Sequence, residues 1–124
     1  MGNLEFAEEC VNQAQAIRRS CYKSITINSY RKLKEILDKR STRLVCVQYP
    51  MSSLEPLKKI FGGQEGIVFV DNEKIFKDAV RKDGYRAYFK DIFGGGFGHC
   101  TDKGNRLLTE NIARVILKEV FDKQ

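Results

Sequence analysis

The sequence predicts an α/β fold, and three observations carry the prediction. Leu44–Val47 and Ile67–Val70 are apolar at every position and almost wholly valine, isoleucine and leucine, the composition of strands in a parallel sheet covered on both faces. Between them Leu54, Leu57, Ile60 and Phe61 recur at helical spacing. Strand, helix and strand within about 30 residues make a βαβ unit with a right-handed crossover. The segments outside this unit carry three- and four-residue apolar periodicity, which adds several helices to only two convincing strands.

In chain order, residues 4–22 place Leu4, Ala7, Val11, Ala14, Ile17 or Arg18, and Cys21 on one stripe with no glycine or proline, an amphipathic helix. The β-branched stretch Ile25, Thr26, Ile27 interrupts the pattern, and Asn28 or Ser29 can cap a second helix with Leu33, Ile36 and Leu37 on its inner face. Lys39 and Arg40 suit the negative end of that helix's dipole. The first strand stops at Gln48, Tyr49 and Pro50, the third helix at Gly62 and Gly63, and the second strand at Asp71 and Asn72. Phe76, Ala79 and Val80 mark a fourth helix, followed by an irregular stretch through Gly84, Tyr85 and Tyr88. A final helix, capped by Thr101 with Asp102 in its first turn, carries Leu108, Ile112, Val115, Ile116 and Val120 on its buried face. Two parallel strands have two open edges and little apolar face. Either short strands lie at Ile25 to Ile27 and Tyr88 to Phe89, or another chain covers the edges, or the polypeptide is part of a larger domain.

Composition excludes several function classes. In 124 residues, 22 Lys and Arg stand against 16 Asp and Glu, a net charge of +6 that is dispersed in pairs, with no basic block and no RNA-binding aromatic signature. Such a surface attracts polyanions without specifying a nucleic acid. No stretch approaches the roughly 18 apolar residues of a membrane span, no secretory signal is visible, and Phe6 occupies the position where N-myristoylation needs Ser or Thr. Cys10, Cys21, Cys46 and Cys100 lack zinc-ligand spacing and read as free thiols of a reducing compartment, so a cytoplasmic location with no metal is expected.

The chemistry-bearing candidate is His99, the single histidine, at the end of the stretch Gly94, Gly95, Gly96, Phe97, Gly98 and directly before a helix start. Loops at helix N-termini are where α/β enzymes place functional groups. The glycines match neither the dinucleotide fingerprint nor the P-loop, so no nucleotide cofactor is expected. Cys100 beside a helix N-terminus is a conceivable thiolate, although sequence neighbours point apart.

From Phe93 through His99, Cys100, Thr101, Asp102, Lys103, Gly104 and Asn105 to Leu108, with Asn111, Ile112 and Ala113 following, the sequence resembles the last block of the SGNH (GDSL-like) hydrolases. Tyr49, Pro50 and Met51, and Asp71, Asn72 and Glu73, resemble the strand ends that precede that block. The resemblance, which runs from about Asn28 to Phe121, implies a partial flavodoxin-like three-layer fold, with residues 25–124 the C-terminal part of the hydrolase domain, preceded by the amphipathic helix of residues 1–24. It further implies an ester hydrolase in which His99 is the general base and a carboxylate orients it. In the family that carboxylate lies three residues before the histidine, where this chain has Gly96, leaving Asp91 or Asp102 as substitutes. No Gly-Asp-Ser nucleophile block is present, and Ser52 and Ser53 are the only local stand-ins. An isolated chain lacking nucleophile and oxyanion donors is expected to be inactive, taking a small acyl ester only if another segment completes it. The alternative is a noncatalytic α/β interaction module that self-associates or binds a protein partner.

Overall fold

The computed structural model describes residues 22–93 and 98–122. The helix expected over residues 4–22, Cys10, Cys21 and the glycines at 94–96 lie outside the described residues. Helix α1 (Ser24–Lys39) is followed by β1 (Leu44–Val47), α2 (Glu55–Phe61), β2 (Ile67–Val70), α3 (Glu73–Asp83), the single turn α4 (Tyr85–Tyr88) and α5 (Asp102–Ile116). A π-helical turn, Leu117–Phe121, continues α5. Helices and a two-stranded parallel sheet make this an α/β fold.

Both strands fall where the apolar runs predicted them, in the register Leu44↔Ile67 through Val47↔Val70. Leu44, Cys46, Ile67 and Phe69 pack with Leu54, Leu57, Ile60 and Phe61 of the α2 region and with Ile27 and Tyr30 of α1. Alternation along the strands therefore turns Val45, Val47, Val68 and Val70 to the opposite face, where α5 meets β2. The expectation of strands covered on both faces holds only in part: Val68 and Val70 are buried, but Val47 is exposed. β1 has no neighbour among the described residues other than β2.

Helix α1 departs from the sequence reading in both start and face. Ile25, Thr26 and Ile27 form its first turn, with no capping side chain at Lys23 and no cap at Asn28 or Ser29. β-branched residues lose only tenths of a kcal/mol each in a helix, about 0.5 kcal/mol at most, and burying Ile27 and Tyr30 against the α2 cluster outweighs that. The inner face is consequently Ile27, Tyr30, Lys34 and Leu37, while Leu33 and Ile36, expected inside, are exposed. Lys34 is 5% exposed. Its stem lies in the core, and its ammonium bonds Asp38 at 2.5 Å. Ser41, at φ 52°, ends the helix.

Helix α2 has Pro56 in its first turn and Gly62 in the left-handed conformation at its end, and Arg31 Nε donates to the Ile60 carbonyl at 2.8 Å, satisfying one of its last acceptors. A second core forms around Phe76, Tyr88 and Phe89, with Met51, Val80, Tyr85, Cys100, Leu107 and Leu108 against it. The stretch after Gly84, expected to be irregular, turns once into α4 because Tyr88 and Phe89 insert beside Phe76, at ring separations of 6.3 and 5.7 Å. Of the two places expected to hide strands, Ile25 to Ile27 is helical and Phe89 makes one antiparallel bridge to Cys100. In α5 and its π-helical turn the deepest positions are Gly104 and Asn111, whereas Leu108, Ile112, Val115, Ile116 and Val120 are only half-buried.

Among the described residues no helix is long and apolar enough to cross a membrane.

Candidate active site

The site is the turn between α4 and α5, and its stem explains its shape. Phe89 and Cys100 pair as an antiparallel bridge, the Lys90 amide donates to the His99 carbonyl at 2.8 Å, and the Thr101 amide donates to the Tyr88 carbonyl at 2.9 Å. Thr101 caps α5 as predicted: its hydroxyl accepts from the Gly104 amide at 3.2 Å and donates to the Ala87 carbonyl at 2.7 Å. One residue thus ties the start of α5 to α4.

This stem brings Asp91 against His99. The carboxylate accepts the His99 amide through Oδ1 at 2.7 Å and meets the imidazole Nδ1 through Oδ2 at 2.8 Å. The two bonds to His99 hold the Asp91 carboxyl below its ordinary range. A neutral imidazole facing a carboxylate through Nδ1 carries its proton there, which leaves the Nε2 lone pair available. Nε2 makes no hydrogen bond among the described residues, and the His99 side chain is 68% exposed. With Asp91 41% exposed as well, water screens the contact, so its contribution is orientation more than stability. The Phe93 ring and the imidazole meet at right angles, edge to face, with centroids 5.0 Å apart.

Two neighbours fix the pair that no sequence pattern indicated. Tyr85 stacks on Phe89 at 4.7 Å and donates its hydroxyl to the Asp91 carbonyl at 2.8 Å. Gly98 lies so close that a β-carbon there would stand 1.9 Å from the Asp91 carbonyl oxygen and 2.8 Å from the Tyr85 hydroxyl. Only glycine permits that approach.

The other sequence candidates are elsewhere. Asp102 sits in the first turn of α5 and makes no bond to His99 among the described residues. Ser53 accepts the Glu55 amide through its hydroxyl at 3.3 Å, a role at the start of α2, and no serine bonds His99 among the described residues. The Cys100 thiol packs on the Phe76 core, and burial raises its pKa, the opposite of the lowering that a helix N-terminus was expected to give a nucleophile. Burial raises the Cys46 thiol similarly. Among the described residues no group of three or more His, Cys, Asp and Glu is placed to hold a metal ion.

Where both strands end, a polar clamp joins three elements. The Asn72 amide donates to the Gln48 carbonyl at 3.3 Å, and the Asn111 amide donates to Asn72 Oδ1 at 2.7 Å and to the Asp71 carbonyl at 2.9 Å. Arg114 donates to Asn111 Oδ1 at 2.6 Å. Ligands of open α/β sheets bind outside the carboxyl ends of the strands, but here that end is closed by side chains of α5. Among the described residues, the Asp91 and His99 pair instead presents its polar atoms to solvent.

No family model, no curated protein and no solved structure matches this chain.

Proposed function

We propose that Asp91 and His99 are the general-base half of an SGNH-like ester hydrolase, with Asp91 taking the orienting role that Gly96 cannot fill. The supporting observation is the 2.8 Å contact between Nδ1 and Oδ2, which leaves Nε2 as the exposed base. In that role the imidazole accepts a hydroxyl proton at Nε2 as attack on an ester carbonyl begins, and Asp91 stabilises the imidazolium that results. The partial flavodoxin-like architecture belongs to the same reading: it rests on the βαβ unit and on the resemblance of residues 93–113 to the family's last block. The chain supplies no Gly-Asp-Ser nucleophile, so on its own it turns nothing over.

Nitrogen chemical shifts of the one imidazole test the base directly. The expected tautomer carries its proton on Nδ1, and Asp91→Ala removes that preference. A parent protein with the proton on Nε2 would put the lone pair on the wrong atom and end the proposal. Short-chain aryl esters test the second half, since turnover that disappears in His99→Ala would show that a nucleophile is present after all.

A noncatalytic interaction module is the second reading. It is favoured by the large apolar side chains that α5 and its π-helical turn leave in solvent, Leu117 at 57% and Phe121 at 58% exposure.

A further inference from the structure

Helix α5 has two apolar faces. One packs on Phe76, Tyr88 and Phe89 through Leu107 and Leu108. The other exposes Ala113, Leu117 and Phe121 above a shallow depression of about 710 Å³ lined by Glu110, Ala113, Arg114, Leu117, Lys118 and Asp122. The π-helical turn continues this second face. The Asp122 amide reaches back five residues to the Leu117 carbonyl at 3.1 Å, and Leu117 and Phe121, four residues apart, share one side of that turn.

Charges flank the apolar seam in an order that is its own complement. Arg106, Glu110, Lys118 and Asp122 are all exposed, and none makes an ion pair among the described residues. In an antiparallel pair of α5 helices related by a two-fold axis at Arg114, Glu110 faces Lys118 of the second copy, a pairing that occurs twice. Arg114 itself is drawn towards Asn111 on its own helix, which turns its charge away from its symmetry mate. In the same register Leu117 falls beside the small Ala113 and the stem of Glu110 of the second copy, as a knob over a hole, and Phe121 covers the stem of Arg106.

We propose that this face of α5 and its π-helical turn is a self-complementary dimer interface whose occupant is a second copy of this chain, paired antiparallel through Glu110 and Lys118. The overlap, residues 106–122, is about 25 Å long at 1.5 Å per residue. A single helix pair lies at the low end of interface size, so association is weak and reversible. The interface is independent of the chemistry at His99, and His99→Ala leaves it intact.

Sedimentation equilibrium on the full chain, over a concentration range spanning the micromolar, tests the register. The parent is expected to pass from monomer to dimer. Glu110→Lys or Lys118→Glu alone places like charges together twice and weakens association by about tenfold or more. The double variant restores it, and that restoration also shows that the singly reversed chains fail through charge and not through unfolding. Leu117→Asp leaves a monomer that retains the parent's melting temperature. A parent monomeric throughout the range overturns the proposal. So do single reversals that leave the dimer unchanged, or a double variant that stays monomeric.

Discussion

Replacing Gly98 by alanine asks whether the approach of the glycine loop to Asp91 is what sets the His99 imidazole. An added β-carbon would lie 1.9 Å from the Asp91 carbonyl oxygen, 2.8 Å from its carbonyl carbon and 2.8 Å from the Tyr85 hydroxyl. Ordinary contact begins near 3.4 Å, so backbone must move apart by roughly 1.5 Å. The obstacle is a main-chain carbonyl inside a hydrogen-bonded stem, so no side-chain rotation relieves it. The bonds that span the gap are 2.7 and 2.8 Å from Asp91 to His99 and 2.8 Å from Lys90 to the His99 carbonyl, and a displacement of that size carries them past hydrogen-bond length. Overpacking of a buried position costs about 1–3 kcal/mol. In a domain of this size that lowers the melting temperature by about 4–12 °C. The sharper readout is local: the variant should lose the Nδ1-protonated tautomer while the methyl resonances of the Leu57 and Ile60 core keep their parent positions. A variant that melts within about 1 °C of the parent, with the imidazole unchanged, would mean that the close approach does not govern the pair.

Three further outcomes follow from other contacts. Gly104→Ala, which in an ordinary helix would stabilise by about 1 kcal/mol, should instead destabilise by about 1–3 kcal/mol because its β-carbon would stand 2.3 Å from the Tyr88 carbonyl oxygen; a rise in urea midpoint would contradict this. Asn111→Leu removes the donor to the fully buried Asn72 and should cost about 2–4 kcal/mol in chemical denaturation, a change below about 0.5 kcal/mol being inconsistent with a clamp. The pH dependence has two limbs. Bonds from Lys103 and Tyr88 lower the Asp83 carboxyl, and bonds from His99 lower that of Asp91, so their stabilisation is present above the unfolded carboxylate values near 4 and disappears as pH falls through the lower folded values. The bonds to Asp83 raise Tyr88 and Lys103, so their stabilisation is complete below the unfolded values near 10 and is lost as pH rises through the folded ones. Thermal melts across pH should therefore show a plateau between these limbs, and a loss of stability centred near neutrality would refute the assignment.

The parts of the fold legible in the sequence are those decided locally. Leu44–Val47 and Ile67–Val70 were readable to the residue, because a β-branched apolar run bounded by turn residues has few alternatives. The Thr101 cap was readable for the same reason. The face of α1 was not: Lys34 belongs to a charged class, and only the space beside Asp38 and the loop at Gly66, where a β-carbon would lie 3.8 Å from the ammonium, makes it an interior residue. His99 stood out as the one histidine in a glycine-rich loop. Its carboxylate was ambiguous between Asp91 and Asp102 because the choice depends on how the chain returns, and that path is fixed by the Phe89 and Cys100 bridge and the Tyr85 hydroxyl. A tyrosine six residues before an aspartate has no sequence signature. The second apolar face of α5 was hidden differently: Ala113, Leu117 and Phe121 stand at ordinary four-residue steps, but Ile112, Val115, Ile116 and Val120 around them are apolar as well and were read as the single buried face.

The clamp between Asn72 and Asn111 joins residues 39 positions apart, whereas the two strands it closes are linked through a single short helix. On the ribosome, β1, α2 and β2 can associate as soon as Val70 has cleared the exit tunnel, yet the polar groups at their ends stay hydrated until Asn111 has emerged. The sheet is therefore expected to close fully only once α5 has been made. In the finished protein the same link should make amide exchange in β2 report undocking of α5, with strand and helix opening as one cooperative unit.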